Sequence, residues 1–257
     1  MELINQRSAV AALDELSRTG CHAILIDGAS GVGKSYLSRY YADKCGIEAY
    51  LNVPAKMDAI RETMDSCYTV ENPVLICLEN LDSGVVGTSY AILKFLEEPP
   101  ANVWLVITCK NIRQIPDTIL SRTIRISIPP VSEDDILTYL RSADSPLKGQ
   151  VEEHLLPCLR SFNDVDKILA LSADNISYLS NVASLINVKD PISKIVWKLQ
   201  KFPDGTSTPT DIVVRALMHS RSDFVIPCIQ YFHDVEYGKI PDHAALSLLV
   251  MDIKYKK

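Results

Sequence analysis

Residues 28–35 read Gly28-Ala29-Ser30-Gly31-Val32-Gly33-Lys34-Ser35, a G-x-x-x-x-G-K-[ST] pattern. That spacing is the signature of a loop whose backbone N–H groups turn inward around phosphate oxygens. Glycine is needed there because the backbone must enter conformations that a Cβ disfavours. Lys34 is expected to reach the outer phosphates, the Ser35 hydroxyl to ligate Mg²⁺, and Tyr36 to lie with them at the start of the next helix. The flanks suit the pattern better than a chance glycine turn. His22-Ala23-Ile24-Leu25-Ile26-Asp27 is a short apolar run fit for a buried strand. Tyr36–Lys44 carries Tyr36, Leu37, Tyr40 and Tyr41 at helical spacing, and Gly46 closes the helix.

The surrounding chain predicts the elements that would hold such a loop. Further strands are expected over Ile47–Val53, Val74–Leu78, Val103–Thr108 and Ile124–Ile128, with helices over Lys56–Met64 and Ser89–Glu98. Continuous apolar strands alternating with helices imply an α/β fold, a parallel sheet covered by helices on both faces. Ligands of such sheets bind at the carboxyl ends of the strands, where the glycine loop falls. After Pro129-Pro130 no strand is expected. Ser132-Glu133-Asp134-Asp135 opens a helix with a capping box, and helical segments follow near 151–161, 165–172, 176–186, 191–202, 211–220, 224–232 and 244–255, with Pro203-Asp204-Gly205 as a turn.

Composition narrows the class. The 257 residues are 47% hydrophobic and 23% charged, enough apolar material for a substantial core. No apolar stretch approaches the roughly 20 residues of a membrane span, and the start, Met-Glu-Leu-Ile-Asn-Gln-Arg, has no signal-peptide pattern, so no membrane partner is expected. Seven cysteines at 21, 45, 67, 77, 109, 158 and 228 include no C-x-x-C pair, which points to free thiols in a reducing cytosol rather than a zinc ribbon. A net charge of −6 argues against a broad nucleic-acid surface but allows a local basic patch.

Four further segments carry a family resemblance. Leu93-Lys94-Phe95-Leu96-Glu97-Glu98-Pro99-Pro100 resembles the L-K-x-L-E-E-P-P segment of DNA-polymerase clamp-loader ATPases. Leu120-Ser121-Arg122-Thr123 resembles their S-R-C motif, Cys21-His22-Ala23-Ile24-Leu25 the H-A-Y-L strand before their nucleotide loop, and Ile115-Pro116-Asp117-Thr118-Ile119-Leu120 the approach to S-R-C. They occur in the family's order over about residues 20–128, so the chain resembles AAA+ clamp-loader subunits of the gamma/delta-prime and replication factor C type. The resemblance implies a RecA-like AAA+ domain (1–129), a helical lid (130–173) and an all-helical collar (174–257). It implies ATP and Mg²⁺ as cofactors, with Gly28 to Tyr36 and Thr108 or Asn111 around the nucleotide. Family subunits form a pentameric ring that opens a sliding clamp and grips primer–template DNA. Each ATP site takes its loop from one subunit and the S-R-C arginine from a neighbour, which gives Arg122 a role in trans on the transferring phosphoryl group. Companion subunits, the clamp and the DNA are then the expected partners.

Departures from the pattern qualify that role. Counting back from Lys94, the family's Asp-Glu pair falls on Glu79-Asn80. Glu79 can hold Mg²⁺, whereas Asn80 orients a water but cannot act as a base, so hydrolysis is expected to be slow. Asp82 is the lone downstream carboxylate. Thr108-Cys109-Lys110-Asn111 stands where the family has Ala-Thr-Thr-Asp, and Asp166, followed by Lys167, falls where the lid carries a nucleotide-sensing arginine. Only 45 residues separate Lys34 from Glu79, leaving no zinc module, and the compact, divergent chain suggests a phage system or a bacterial cytosol. Lys56, Arg61, Thr88 and Ser89 are candidate DNA contacts on segments following the inner strands. Lys194, Lys198 and Lys201 read as a solvated helix face. Two alternatives stay open: a non-hydrolysing, stator-type assembly subunit that donates Arg122, favoured by Asn80 and the altered lid, and a monomeric P-loop kinase for a small molecule. The helical second half, the Glu-Glu-Pro-Pro segment and the lack of an arginine-rich lid count against the kinase.

Overall fold

The computed structural model describes residues 6–83, 89–187, 189–236 and 240–255. The chain divides into two compact units, Met1–Val131 and Ser132–Lys257.

The first unit is built on a five-stranded sheet of β1 (Ala23–Asp27), β2 (Ala49–Pro54), β3 (Val74–Glu79), β4 (Val103–Cys109) and β5 (Ile124–Ser127). Its order is β2-β3-β4-β1-β5 and every pairing is parallel. The three central strands are apolar up to Asp27, Glu79 and Thr108 near their carboxyl ends, because helices cover both faces. With the side-chain period of two, Leu25, Ile76, Leu78, Leu105 and Ile107 point to one face, against Ile60 and Met64 of α3 (Met57–Ser66), Ile92 and Phe95 of α4 (Ser89–Glu97) and Ile119 of α5 (Asp117–Leu120). Ile24, Ile26, Leu75, Cys77 and Val106 point the other way, against Ala9 and Leu13 of α1 (Arg7–Thr19) and Leu37 and Tyr41 of α2 (Lys34–Lys44). The edge strands β2 and β5 are buried at one residue in two or fewer, hence their weaker apolar signal.

All five expected strands are present, with ends shifted by up to two residues. Two differences have clear causes. α2 starts at Lys34, two residues before the expected helix, because Gly33 in the left-handed region serves as its N-cap. α1 was not expected at all: its apolar stripe is Ala9 and Leu13 with partly buried Val10, Ala12 and Leu16, set among charges.

The second unit consists of helices, with a single isolated bridge between Lys201 and Ser207 as the only β pairing among the described residues. α6 (Glu133–Ser142) opens with the expected capping box: the Ser132 hydroxyl accepts from the Asp135 N–H at 3.1 Å and the Asp135 carboxylate accepts from the Ser132 N–H at 3.0 Å. The helix expected over 151–161 is instead α7 (Lys148–His154) and a separate turn at Leu156–Cys158, because Pro157 cannot continue it. α8 (Phe162–Leu169) begins earlier than expected, capped by Ser161, and the 176–186 segment is α9 (Ala173–Ser180) followed by the turn Val182–Leu185. α10 (Ile192–Gln200), α11 (Thr210–Ser220), α12 (Val225–Glu236) and α13 (Asp242–Tyr255) complete the unit. No helix among the described residues is long and apolar enough to cross a membrane.

Candidate functional site

The glycine loop leaves β1 at the carboxyl edge of the sheet, and the Gly28 N–H donates to the Cys109 carbonyl of β4 at 3.2 Å. A Cβ on Gly28 would meet Cβ and O of Ile128 at 3.1 Å and Cγ2 of Val32 at 3.2 Å, so only glycine passes here without displacing backbone. Gly31 and Gly33 have φ of 75° and 97°, in the left-handed region that glycine enters at little cost. Beyond Gly33 the first N–H groups of α2 have no acceptor within the helix, and the first turn carries no acidic residue. The positive end of the helix is thus open to an anion. Val32 is buried and anchors the loop. Gln6, buried ahead of α1, donates its amide to the Val32 carbonyl, a contact that no sequence motif foreshadows.

Lys34 lies under the loop, its side-chain nitrogen donating to the carbonyls of Gly28 and Ala29 at 2.7 Å each. Burial pushes its ammonium below the usual lysine range, and the positive charge of Lys110 adds to that. Ser35 and Glu79, 44 residues apart in sequence, come together: the hydroxyl donates to Oε1 at 2.8 Å. Adjacent ligands of an octahedral Mg²⁺ site, with metal–oxygen distances of about 2.1 Å, lie about 3 Å apart. A hydroxyl and a carboxylate oxygen at this separation, beside an anion-binding loop, fit a hard divalent cation shared with phosphate oxygens.

Next to Glu79 the backbone turns sharply. Asn80 has φ 51°, and its N–H donates to the Thr108 hydroxyl at 3.0 Å. Thr108 is buried, and its own proton goes towards the Leu78 carbonyl at 3.4 Å. Asp82 follows, one carboxylate oxygen accepting from the N–H groups of Lys110 at 3.1 Å and Asn111 at 2.9 Å. Its other oxygen is buried without a partner among the described residues. The Asn111 side chain accepts from the Arg113 N–H at 3.1 Å and so caps its own turn. Asp82 and Thr108 therefore bind the ends of β3 and β4 together beside the loop. The Asp27 carboxylate does the same between β1 and β5, taking two hydrogen bonds from Arg125, at 2.6 and 3.0 Å, and one from Ser127 at 2.8 Å. Burial alone would raise its pKa, but these bonds outweigh it and hold the carboxyl below the usual range.

Arg122 stands apart from that cluster. Its guanidinium donates to the Thr118 carbonyl and to Oε1 of Glu97, both at 3.0 Å, with a longer bond to the Ser121 hydroxyl, and none of these partners belongs to the loop. Lys56 and Arg61 are exposed, at the N-cap and on the outer side of α3. Ser89 begins α4, and Thr88 lies outside the described residues. In the second unit, the Asp166 carboxylate accepts from the Tyr139 hydroxyl at 2.9 Å, while Lys167 is exposed. Lys194 and Lys198 both pair with Asp190 at 2.9 Å and Lys201 donates to the Ser207 hydroxyl, as befits a solvated, internally paired face.

The chain is similar to several known proteins. Residues 55–132 match the profile of the family described as DNA polymerase III, delta subunit. The chain is 24% identical over 242 residues to the DNA polymerase III subunit gamma of Buchnera aphidicola subsp. Schizaphis graminum, covering 78% of this chain and 66% of the relative. It is 27% identical over 172 residues to the same subunit of B. aphidicola subsp. Acyrthosiphon pisum, covering 54% and 48%. The matched region thus spans between about half and two thirds of those relatives' lengths. Among solved structures, a DNA polymerase III gamma subunit-related protein of Thermotoga maritima superposes with a TM-score of 0.58 at 13% identity, over 96% of this chain and 98% of that one. The T. maritima RuvB Holliday junction branch migration motor gives 0.55 at 11% identity, over 96% and 82%. These structures establish the fold, an α/β RecA-like sheet followed by a helical part, and the sequence matches make the chain similar to DNA polymerase III subunits.

Proposed function

We propose that this chain is a clamp-loader-type AAA+ subunit that binds MgATP in the 28–35 loop and works as an ATPase in an assembly that opens a sliding clamp and sets it on primer–template DNA. The observation that carries the reading is the 2.8 Å approach of the Ser35 hydroxyl to the Glu79 carboxylate beside the buried Lys34, at the carboxyl edge of a parallel sheet. In this reading the loop and α2 N–H groups hold the phosphates, Lys34 turns from the loop carbonyls to phosphate oxygens, and Ser35 and Glu79 hold Mg²⁺. Bound Mg²⁺ would neutralise charge on the phosphate oxygens. Asn80 orients the attacking water, and Arg122 of a neighbouring copy or companion subunit meets the charge that develops during transfer. Lys56, Arg61, Thr88 and Ser89 are the proposed DNA contacts, and residues 130–173 and 174–257 the proposed lid and collar.

Calorimetry with MgATP on wild type and Lys34→Ala tests the site, and DNA-stimulated phosphate release from the chain with its co-purified companions tests the activity. Unchanged ATP affinity in Lys34→Ala would defeat the reading. A second reading, a stator-type subunit that binds nucleotide and donates Arg122 without hydrolysing, is favoured by Asn80 in place of a carboxylate and by Asp166 tied to Tyr139. Companion-dependent phosphate release that survives Lys34→Ala in this chain but is lost in Arg122→Ala would select it.

A further inference from the structure

In the second unit three lysine side chains converge on residue 190. Lys194 and Lys198 of α10 donate to the two carboxylate oxygens of Asp190 at 2.9 Å each, and Lys254, near the end of α13, donates to the Asp190 carbonyl at 2.6 Å. Bonds from Lys198 and Lys194 hold the Asp190 carboxyl below the usual carboxylate range. One carboxylate balances one of the three cations, so the cluster keeps excess positive charge in a chain whose net charge is −6. Lys189 is exposed beside it. Asp204, the next carboxylate along the chain, is engaged by Asn175 and Thr206 instead.

Two exposed rings border the cluster. α10 buries Ile195, Val196 and Leu199, which leaves Lys194, Trp197 and Lys198 on its outer face, three and four residues apart. Trp197 is 56% exposed, although tryptophan is highly buried on average. Tyr255 is 66% exposed, with the Lys254 ammonium 5.4 Å from its ring centroid. Neither ring belongs to the core. The Lys194–Asp190 pair is open to water, and pairs of that kind are weak enough to exchange for another anion.

Ammonium groups interleaved with exposed rings match what a single nucleic-acid strand presents: phosphates for the cations and unpaired bases for the rings. A duplex hides its base faces and would leave the rings idle, and an acidic peptide would use the lysines alone. We propose that the face formed by α10 and the end of α13 binds a single nucleic-acid strand, with Trp197 and Tyr255 stacking on bases and Lys194, Lys198 and Lys254 meeting phosphates. From Asp190 to Trp197 the chain advances roughly 10 Å at helical rise, room for about three nucleotides at stacked spacing. The surface goes beyond the proposed function. It is separate from the contacts proposed at Lys56 and Arg61, and it needs no nucleotide in the 28–35 loop.

The test is fluorescence anisotropy of a labelled oligothymidylate of about 12 nucleotides, without ATP, titrated with the full chain and its variants. The competitors are a duplex of the same length and polyglutamate. Trp197→Ala should weaken the strand about fivefold or more, and Trp197→Phe should recover part of the loss. Lys194→Gln combined with Lys198→Gln should reduce the slope of log affinity against log salt by about 1.4. Asp190→Asn removes the competing carboxylate and should tighten binding, an effect that mere loss of structure would not produce. Trp197 and Lys194 are exposed, so their variants should melt with wild type. Quenching of wild-type tryptophan fluorescence by the strand, absent in Trp197→Phe, would place a base on the indole. Lys34→Ala should bind the strand as wild type does, which keeps this surface distinct from the loop reading. Failure of wild type to bind the strand, unchanged affinity in Trp197→Ala, or competition by duplex or polyglutamate as strong as by unlabelled strand overturns the proposal.

Discussion

Asn80 joins a backbone constraint to a chemical one, and replacing it separates them. Its φ of 51° makes it the only non-glycine residue in the left-handed region among those described. An ordinary L-residue pays about 1–2 kcal/mol there, and asparagine, enriched several-fold in that region, pays the least. Asn80→Glu should therefore cost about 1 kcal/mol of stability, a fall of about 3 °C in melting temperature for a domain of this size. The hydrogen bond to Thr108 is a backbone one and survives the change. Asn80→Gly, without a Cβ, should stay within about 0.5 kcal/mol of wild type. Chemically the order reverses. A carboxylate at this position accepts a proton from the attacking water, which an amide cannot do. Single-turnover phosphate release by the assembled complex should then be preserved or raised in Asn80→Glu and reduced in Asn80→Gly. Thermal melting and rapid phosphate detection measure the two halves. A Glu variant that melts at or above wild type would refute the backbone argument. One that melts as expected but loses most of its rate would show that the Asn80 amide has an essential role of its own.

The remaining expectations concern the loop, the arginine and the second unit. Gly28→Ala puts a methyl 3.1 Å from backbone at Ile128, so it should cost about 1–3 kcal/mol in denaturant unfolding and weaken nucleotide binding in calorimetry. Lys34→Ala should lose nucleotide affinity and nucleotide-dependent assembly on a sizing column while keeping its fold. Arg122→Ala should retain ATP binding yet lose companion-dependent ATPase, and mixing it with Lys34→Ala should restore part of the activity, because each chain then completes the other's site; full activity of Arg122→Ala alone rejects the trans role. Arg215, nearly buried, bonds Asp164 at 2.8 Å, Asp211 at 2.6 Å and the Cys158 carbonyl at 2.7 Å, so Arg215→Met, which strands the buried Asp164 carboxylate, should destabilise the second unit by about 3 kcal/mol in urea.

What the sequence made legible was what local pattern encodes. The loop pattern was readable because phosphate-binding loops need Gly, Lys and Ser at fixed spacing, and the central strands because burial on both faces leaves them apolar up to their carboxyl ends. Glu79 came within reach through its distance from the Lys94 motif, although nothing local in Leu78-Glu79-Asn80 announces a partner for Ser35. The left-handed turn at Asn80 was hidden: asparagine permits such a φ without requiring it, and the Thr108 hydroxyl that accepts from its N–H lies 28 residues away. Gln6 was invisible because a polar residue ahead of an amphipathic helix reads as a surface residue, and only the tertiary fold buries it against Val32.

The arrangement of charge also bears on how an assembled site would switch on. In this chain Arg122 is neither loose nor trapped. Its pair with Glu97 is exposed on both sides, the side chains retaining 37% and 57% of their accessible surface, and exposed pairs of this kind contribute about 1 kcal/mol or less. The Thr118 carbonyl and the Ser121 hydroxyl add direction more than strength. A guanidinium held this way stays close to one orientation, which lowers the entropy lost when it engages a ligand across an interface. It can still leave Glu97 cheaply when a more highly charged partner is offered. A polyphosphate gripped by Lys34 would be such a partner. On the proposed trans role, the energetic barrier to completing the site would lie in bringing two subunits together and not in freeing the arginine. Glu97→Gln should accordingly change stability by less than about 1 kcal/mol while lowering companion-dependent turnover through a less ordered Arg122, and a large loss of stability in that variant would contradict the argument.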